Sequence, residues 1–201
     1  MKTIYATGIN ENNETIEFEV FYGYLNCSDN DLTSLIIPKG VTKFDCSFNN
    51  LTSLIISKSV TNFNCSYNYL TSLIIPKSVT DFNCSHNNLT NLIIHESVIN
   101  FTCFKNDLTS LIISESVKVF NCSYNKLTSL IIPKSVKYFS CHLNNFTSEN
   151  YFINPKTDKV VIKQNDLYYC GCFCDKTFEE LKQICIKKRF IEVLEYFEPR
   201  I

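Results

Sequence analysis

The chain reads as a mainly β solenoid in which each nineteen-residue coil contributes one parallel strand, with a β-hairpin cap in front and an α-helical cap behind. Three observations predict this class. The stretch Val41 to Ser59 begins again at Val60, and the copying continues to about Ser148. Within each copy, apolar and polar residues alternate with the period of two that marks a strand with one buried face. Glycine and proline number only 4 and 5 in 201 residues, so the turns are built by something else, and asparagine is abundant.

Residues 1–21 form the first element. Lys2 to Gly8 and Thr15 to Phe21 alternate as a strand pair around the polar cluster Asn10 to Glu14, which reads as a hairpin loop. The open end of a solenoid exposes core side chains and unpaired strand groups, so the hairpin is expected to cap the first coil.

Residues 22–148 form the solenoid, with about seven coils. At a spacing of nineteen, Cys27, Cys46, Cys65, Cys84, Cys103, Cys122 and Cys141 fall in one column. Asn30, Asn49, Asn68, Asn87, Asn106, Asn125 and Asn144 fall in a second, and Leu32, Leu51, Leu70, Leu89, Leu108, Leu127 and Phe146 in a third. Leu25, Phe44, Phe63, Phe82, Phe101, Phe120 and Phe139 form another, and the Leu35 to Leu130 column stops at Glu149. One strand per coil stacks into a parallel sheet at about 4.8 Å spacing, so seven strands span roughly 29 Å.

Each column has a packing role. The Asn amides satisfy backbone groups where the chain leaves the strand, and stacked amides can also bond one another. Thiols on adjacent coils stand near 4.8 Å apart, whereas a disulfide wants Cβ atoms about 3.8 Å apart. The Cys column is therefore expected to be buried and inert, because a free thiol packs as a compact hydrophobe.

Each coil, Val-x-x-Phe-x-Cys-x-x-Asn-x-Leu, fits the leucine-rich-repeat template. The coil around Ser47 to Leu54 resembles the short leucine-rich repeats of bacterial effectors. It is also similar to the small leucine-rich-repeat proteins encoded by giant viruses of amoebae. This resemblance covers about residues 22–148 and implies a curved solenoid whose sheet lines a concave, protein-binding face. Bacterial effectors of this type can carry a ubiquitin-ligase domain after the repeats; nothing after Ser148 is long enough for one, and that activity is not expected.

Function is to be sought in the columns that vary. Tyr24, Lys43, Asn62, Asp81, Asn100, Val119 and Tyr138 lie on the outward strand face, beside Asn26, Asp45, Asn64, Asn83, Thr102, Asn121 and Ser140. At the strand exit come Asp29, Phe48, Tyr67, His86, Lys105, Tyr124 and Leu143, with Tyr69 and Phe104 nearby. Exposed aromatics in a row are enriched at protein interfaces. Lys43, Asp45, Phe48, Tyr67, Tyr69, His86, Phe104 and Tyr124 are thus the expected partner-binding residues. The plainer account is that the rings stack along the ladder and shield the sheet edge.

A second line consists of Ile36, Ile55, Ile74, Ile93, Ile112 and Ile131. Its members point outward if Leu54 and Ile56 point inward. Such a stripe suits a homodimer or an assembly role, or else a shielded ladder between coils. The turn beyond it carries Lys39, Lys58, Lys77, Glu96, Glu115 and Lys134, a solvating edge, and Pro38, Pro76 and Pro133 fit there.

Residues 149–201 read as a hairpin over Tyr151 to Lys163 followed by amphipathic helix. Thr177 and Glu180 have capping-box spacing, and Phe178, Leu181, Ile184 and Cys185 share a helical face. Cys170, Cys172 and Cys174 would share one face if extended and, with Cys185, could hold a zinc ion tetrahedrally. Cys-x-Cys-x-Cys is not the usual knuckle spacing, so no metal is expected.

No catalytic pattern is present. His86, His95 and His142 stand in no nucleophile or metal motif, and glycine is too scarce for a phosphate loop. A net charge of −1 gives no reason to expect nucleic acid or an anionic membrane. No run of about 18 apolar residues occurs, and the start lacks the apolar core of a secretory signal. Eleven cysteines are then expected as reduced thiols in the cytoplasm, by resemblance that of an infected cell. The expected function is a non-enzymatic module that binds a protein through its strand face and needs no cofactor. The alternative is a structural protein assembling through the Ile stripe.

Overall fold

The computed structural model describes residues 4–133, 135–141 and 143–146, together with the backbone of four later strands. Strands β1 (Ile4–Asn10) and β2 (Thr15–Val20) pair antiparallel, with Ala6 opposite Phe18. Asn10 builds their loop: its Oδ1 accepts the N–H groups of Asn12 at 3.0 Å and Glu14 at 2.9 Å. β1 also pairs antiparallel with β4 (Leu32–Ile36) in the first coil. Gly8 permits this approach, because a Cβ there would stand 2.7 Å from a Leu32 methyl. Ile16, Phe18 and Val20 pack against the solenoid core.

The solenoid's sheet has seven parallel strands: β3 (Tyr24–Asn26), β5 (Lys43–Asp45), β6 (Asn62–Asn64), β7 (Asp81–Asn83), β8 (Asn100–Thr102), β9 (Val119–Asn121) and β10 (Tyr138–Ser140). Every pairing is in register, so Leu25, Phe44, Phe63, Phe82, Phe101, Phe120 and Phe139 align across the sheet. The phenyl rings stack inside it with centroids 5.3 Å apart at Phe44–Phe63 and 5.6 Å at Phe120–Phe139. Equal spacing in sequence produces equal contacts in space, and the Val, Cys and Leu columns form one continuous core.

The Asn column closes each coil against the one before. Asn87 donates from Nδ2 to the carbonyls of Cys65 at 3.0 Å and Cys84 at 3.2 Å, while its Oδ1 accepts the Leu70 N–H at 2.9 Å. Asn49, Asn68, Asn106 and Asn125 repeat this arrangement. The amides bond backbone groups at the strand exit as the sequence leads one to expect, and those groups belong to the neighbouring coil as well as their own. A carbonyl orphaned at a strand exit is the costlier group to leave unpaired, and the inward amide reaches two of them.

Serine supplies the turn on the other side. Ser59, Ser78, Ser116 and Ser135 donate their hydroxyls to Val41, Val60, Val98 and Val117 carbonyls at 2.7–2.8 Å. Val79 and Val136 N–H groups reach back to the carbonyls of Pro76 and Pro133 at 3.1 Å, so proline sits where a turn opens.

Beyond the repeats, β11 (Tyr151–Ile153), β12 (Val160–Gln164), β13 (Leu167–Cys170) and β14 (Phe173–Thr177) form a separate four-stranded antiparallel sheet. β11 and β12 pair antiparallel, and residues 154–159, where the hairpin loop is expected, lie outside the described residues. The run Cys170 to Cys174 is not one extended strand, because Cys170 of β13 pairs with Phe173 of β14. Cys170 and Cys174 therefore lie on successive antiparallel strands. Cys172, Cys185 and the expected helix lie outside the described residues.

Candidate functional site: the strand exit and the sheet groove

Among the described residues ten non-glycine residues have positive φ, and seven of them form one column. Asp29, Phe48, Tyr67, His86, Lys105, Tyr124 and Leu143 all take φ between 52° and 58°. The left-handed conformation brings the chain sharply off the strand, so that the next residue, the column Asn, turns inward. Its cost for a residue with a Cβ is about 1–2 kcal/mol, and asparagine or glycine is the usual occupant. Here an asparagine-rich chain places three aromatic rings in succession instead.

Those rings stack. Phe48 and Tyr67 have centroids 4.3 Å apart at 10°, and Tyr67 and His86 4.0 Å apart at 13°. The next coil has Lys105 in the column, which would break the stack. Phe104, one residue earlier, fills the gap: its ring lies 5.1 Å from His86 and 5.0 Å from Tyr124. Five rings thus form one ladder across five coils. Face-to-face contact consumes the ring faces but leaves edges open, and Phe48, Tyr67 and Tyr124 remain 43–53% exposed.

The rings therefore shield one another's faces and leave a row of outer edges exposed. Tyr69 is 56% exposed but makes no ring contact found among the described residues. Burial first, and the Lys105 charge second, hold the His86 imidazole below its ordinary 6.5, so the stacked ring is the neutral one.

Lys43 and Asp45 belong to the adjoining groove, a shallow trough of about 400 Å³ running over the outward sheet face from Tyr24 to Val119. Its floor is amide and carboxylate: Asn64 Nδ2 donates to Asp45 at 3.1 Å, and Asn100 Nδ2 to Asp81 at 2.6 Å. Asp45 has a structural task as well. Its Oδ1 accepts the Ser47 N–H at 2.8 Å and the Ser47 hydroxyl at 2.6 Å.

The same turn recurs at Asn26–Ser28, Asn64–Ser66, Asn83–Ser85 and Asn121–Ser123. The spacing Asx-Cys-Ser is the sequence signal for such an Asx turn, and sequence reasoning passed over it. The fifth coil departs at both positions together, with Thr102 and Phe104, which frees position 104 to carry a ring. Nothing in the sequence marked the left-handed column, since none of its occupants is glycine or asparagine.

The Cys column offers no chemistry at this site. All seven thiols are buried, and burial raises their pKa, to about 12 at Cys27 in the first coil, where Asp45 adds to the effect. At Cys46, Cys65, Cys103 and Cys122 burial again leads, and the thiols stay protonated. Among the described residues no group of three or more His, Cys, Asp or Glu is placed to hold a metal ion. No helix among them is long and apolar enough to cross a membrane.

No protein-family model matches the chain, and no curated protein sequence matches it. Solved structures do. A Shigella effector leucine-rich-repeat domain superposes with a TM-score of 0.55 at 19% identity, covering 63% of this chain and 71% of that one. YopM from Yersinia enterocolitica gives 0.48 at 16% identity, over 54% of this chain and 30% of its own. The functional domain of InlJ from Listeria monocytogenes, described as including a cysteine ladder, gives 0.35 at 22% identity, over 54% and 36%. The Shigella likeness, with the in-register sheet and nineteen-residue spacing, shows the fold: the chain is a leucine-rich-repeat solenoid.

Proposed function

We propose that the chain is a non-enzymatic recognition module that binds a protein partner along the ring ladder and the groove beside it. The observation that carries this reading is the aromatic occupancy of the left-handed column at Phe48, Tyr67 and His86. Each residue there costs about 1–2 kcal/mol of backbone strain. A stacked pair returns only about 0.5–1.5 kcal/mol beyond its burial, so stability alone does not favour rings over asparagine. Strain retained at an exposed aromatic row is the usual mark of a binding surface.

The partner engages ring edges and tyrosine hydroxyls with Tyr69 at the margin, while Lys43 and the amide floor set polar contacts. A reducing, cytoplasmic setting suits a module whose thiols are packed as protonated hydrophobes. In this reading the hairpin β1–β2 caps the first coil and spares its core from solvent.

A photo-cross-linking residue placed at Lys43 tests the site when the full chain is expressed in its own cellular setting. A discrete protein adduct is expected there and not from the same residue at Glu17, exposed on β2. Adducts of equal yield and identity from both positions would overturn the reading.

A further inference from the structure

Six isoleucines, Ile36, Ile55, Ile74, Ile93, Ile112 and Ile131, stand once per coil in a single line and are 57–87% exposed. Ile93 and Ile112 pair directly as a parallel bridge, so the fourth and fifth coils meet along this line. Beside it the exposed positions are small and uncharged, with Thr52 and Ser53 repeated at Thr71 and Ser72. Beyond it, the exposed turn carries Lys58 and Lys77 in the first half of the solenoid and Glu96 and Glu115 in the second. A continuous apolar stripe of this kind marks an association site, and the charges say which partner fits.

We propose that the stripe pairs with a second copy of this chain, antiparallel, about a two-fold axis lying in the interface between Ile74 and Ile93. An in-plane axis perpendicular to the stripe keeps both charged columns on the same side and reverses one against the other. Lys77 then faces the partner's Glu96, and Lys58 faces the partner's Glu115. An isologous contact makes each pair twice. Sliding the register by one coil brings Lys77 against the partner's Lys77, or Glu96 against the partner's Glu96. Sliding toward the first coil nevertheless keeps Lys58 against the partner's Glu96 and Lys39 against the partner's Glu115, so the charge order favours the antiparallel arrangement and fixes its register to within one coil.

Apolar burial supplies the affinity and the charges supply the antiparallel sense, since exposed ion pairs contribute little by themselves. Four columns over six coils make roughly 24 residues on each side, within the 20–30 typical of a stable interface. This surface is separate from the ring ladder, so both can be occupied at once.

Sedimentation of the full chain over a wide concentration series tests the proposal. The wild type is expected to pass from monomer to dimer mass as concentration rises. The variants K58E/K77E and E96K/E115K are each expected to weaken dimerisation by about tenfold or more, because every pair becomes a like pair. An equimolar mixture of the two variants restores opposite charges at every contact and should recover the dimer. Exposed charge changes leave the core intact, which unchanged circular dichroism checks. A wild type that stays monomeric throughout would overturn the proposal. So would variants that dimerise as the wild type does, or a mixture that stays monomeric.

Discussion

The imidazole of His86 lies nearly flat on the ring of Tyr67, with centroids 4.0 Å apart and planes 13° from parallel. Burial, and then the Lys105 charge, keep the His86 pKa below 6.5 and favour the neutral imidazole in this stack. As pH falls through 6.5, the unfolded chain takes up the proton first, so stability declines until the folded His86 is also protonated. Wild type is therefore expected to lose more stability than His86→Phe between about pH 7.5 and about pH 5.5 in urea unfolding. Equal losses would remove the stack from the account.

Asn87 holds the coil closure, with Nδ2 on the Cys65 and Cys84 carbonyls and Oδ1 on the Leu70 N–H. Asn87→Leu keeps the volume but leaves these groups unpaired in the core. The expected loss is about 4 kcal/mol. Asn88→Ala, one residue on and exposed, should change stability by less than about 0.5 kcal/mol. Chemical denaturation of both variants makes the comparison.

The inward columns were legible in the sequence because an in-register parallel stack repeats each contact at a fixed spacing. Phe44, Cys46, Leu51 and Val60 could be placed before any coordinates, and the outward Ile55 line followed from alternation alone. The ring column was placed as well. Its left-handed backbone was not, because Phe48 and Tyr67 carry none of the usual residue signals for φ near 55°. The amide pattern was half legible: an inward Asn implied backbone bonding, but which carbonyls it reaches depends on how adjacent coils are offset. The role of Phe104 needed the geometry, since one position out of column reads as a break until the ring is seen to bridge His86 and Tyr124.

Lys105 occupies the same strained column at φ 54° without joining the stack. Lys105→Asn is accordingly expected to raise stability, by about 0.5–1 kcal/mol, because asparagine tolerates the left-handed region. A higher urea midpoint at unchanged m-value is the predicted readout, and a lower midpoint would contradict the strain assigned to this column.

The seven ladder thiols keep their protons well above the ordinary value of 9.0, chiefly through burial. The unfolded chain releases those protons near pH 9, so stability is full below that point and falls as pH rises beyond it. Each thiol contributes up to ~1.4 kcal/mol per pH unit to that slope. Alkylation mapped by mass spectrometry should find Cys46 to Cys122 unlabelled in the native protein at about pH 8 and fully labelled in denaturant. Rapid native labelling of these peptides would show that the column is not the inert core described here.

The ring ladder is the centre of the functional reading, and the left-handed column offers a clean way to remove it. Replacing Phe48 and Tyr67 together by asparagine deletes two rings while relieving backbone strain, so binding and stability should move in opposite directions. The decisive measurement is quantitative affinity capture by the wild type and by F48N/Y67N, with the unfolding midpoint of each measured alongside. The prediction is a midpoint equal to or above wild type and a loss of captured partner of about tenfold or more. Unchanged capture by a folded F48N/Y67N variant would contradict it.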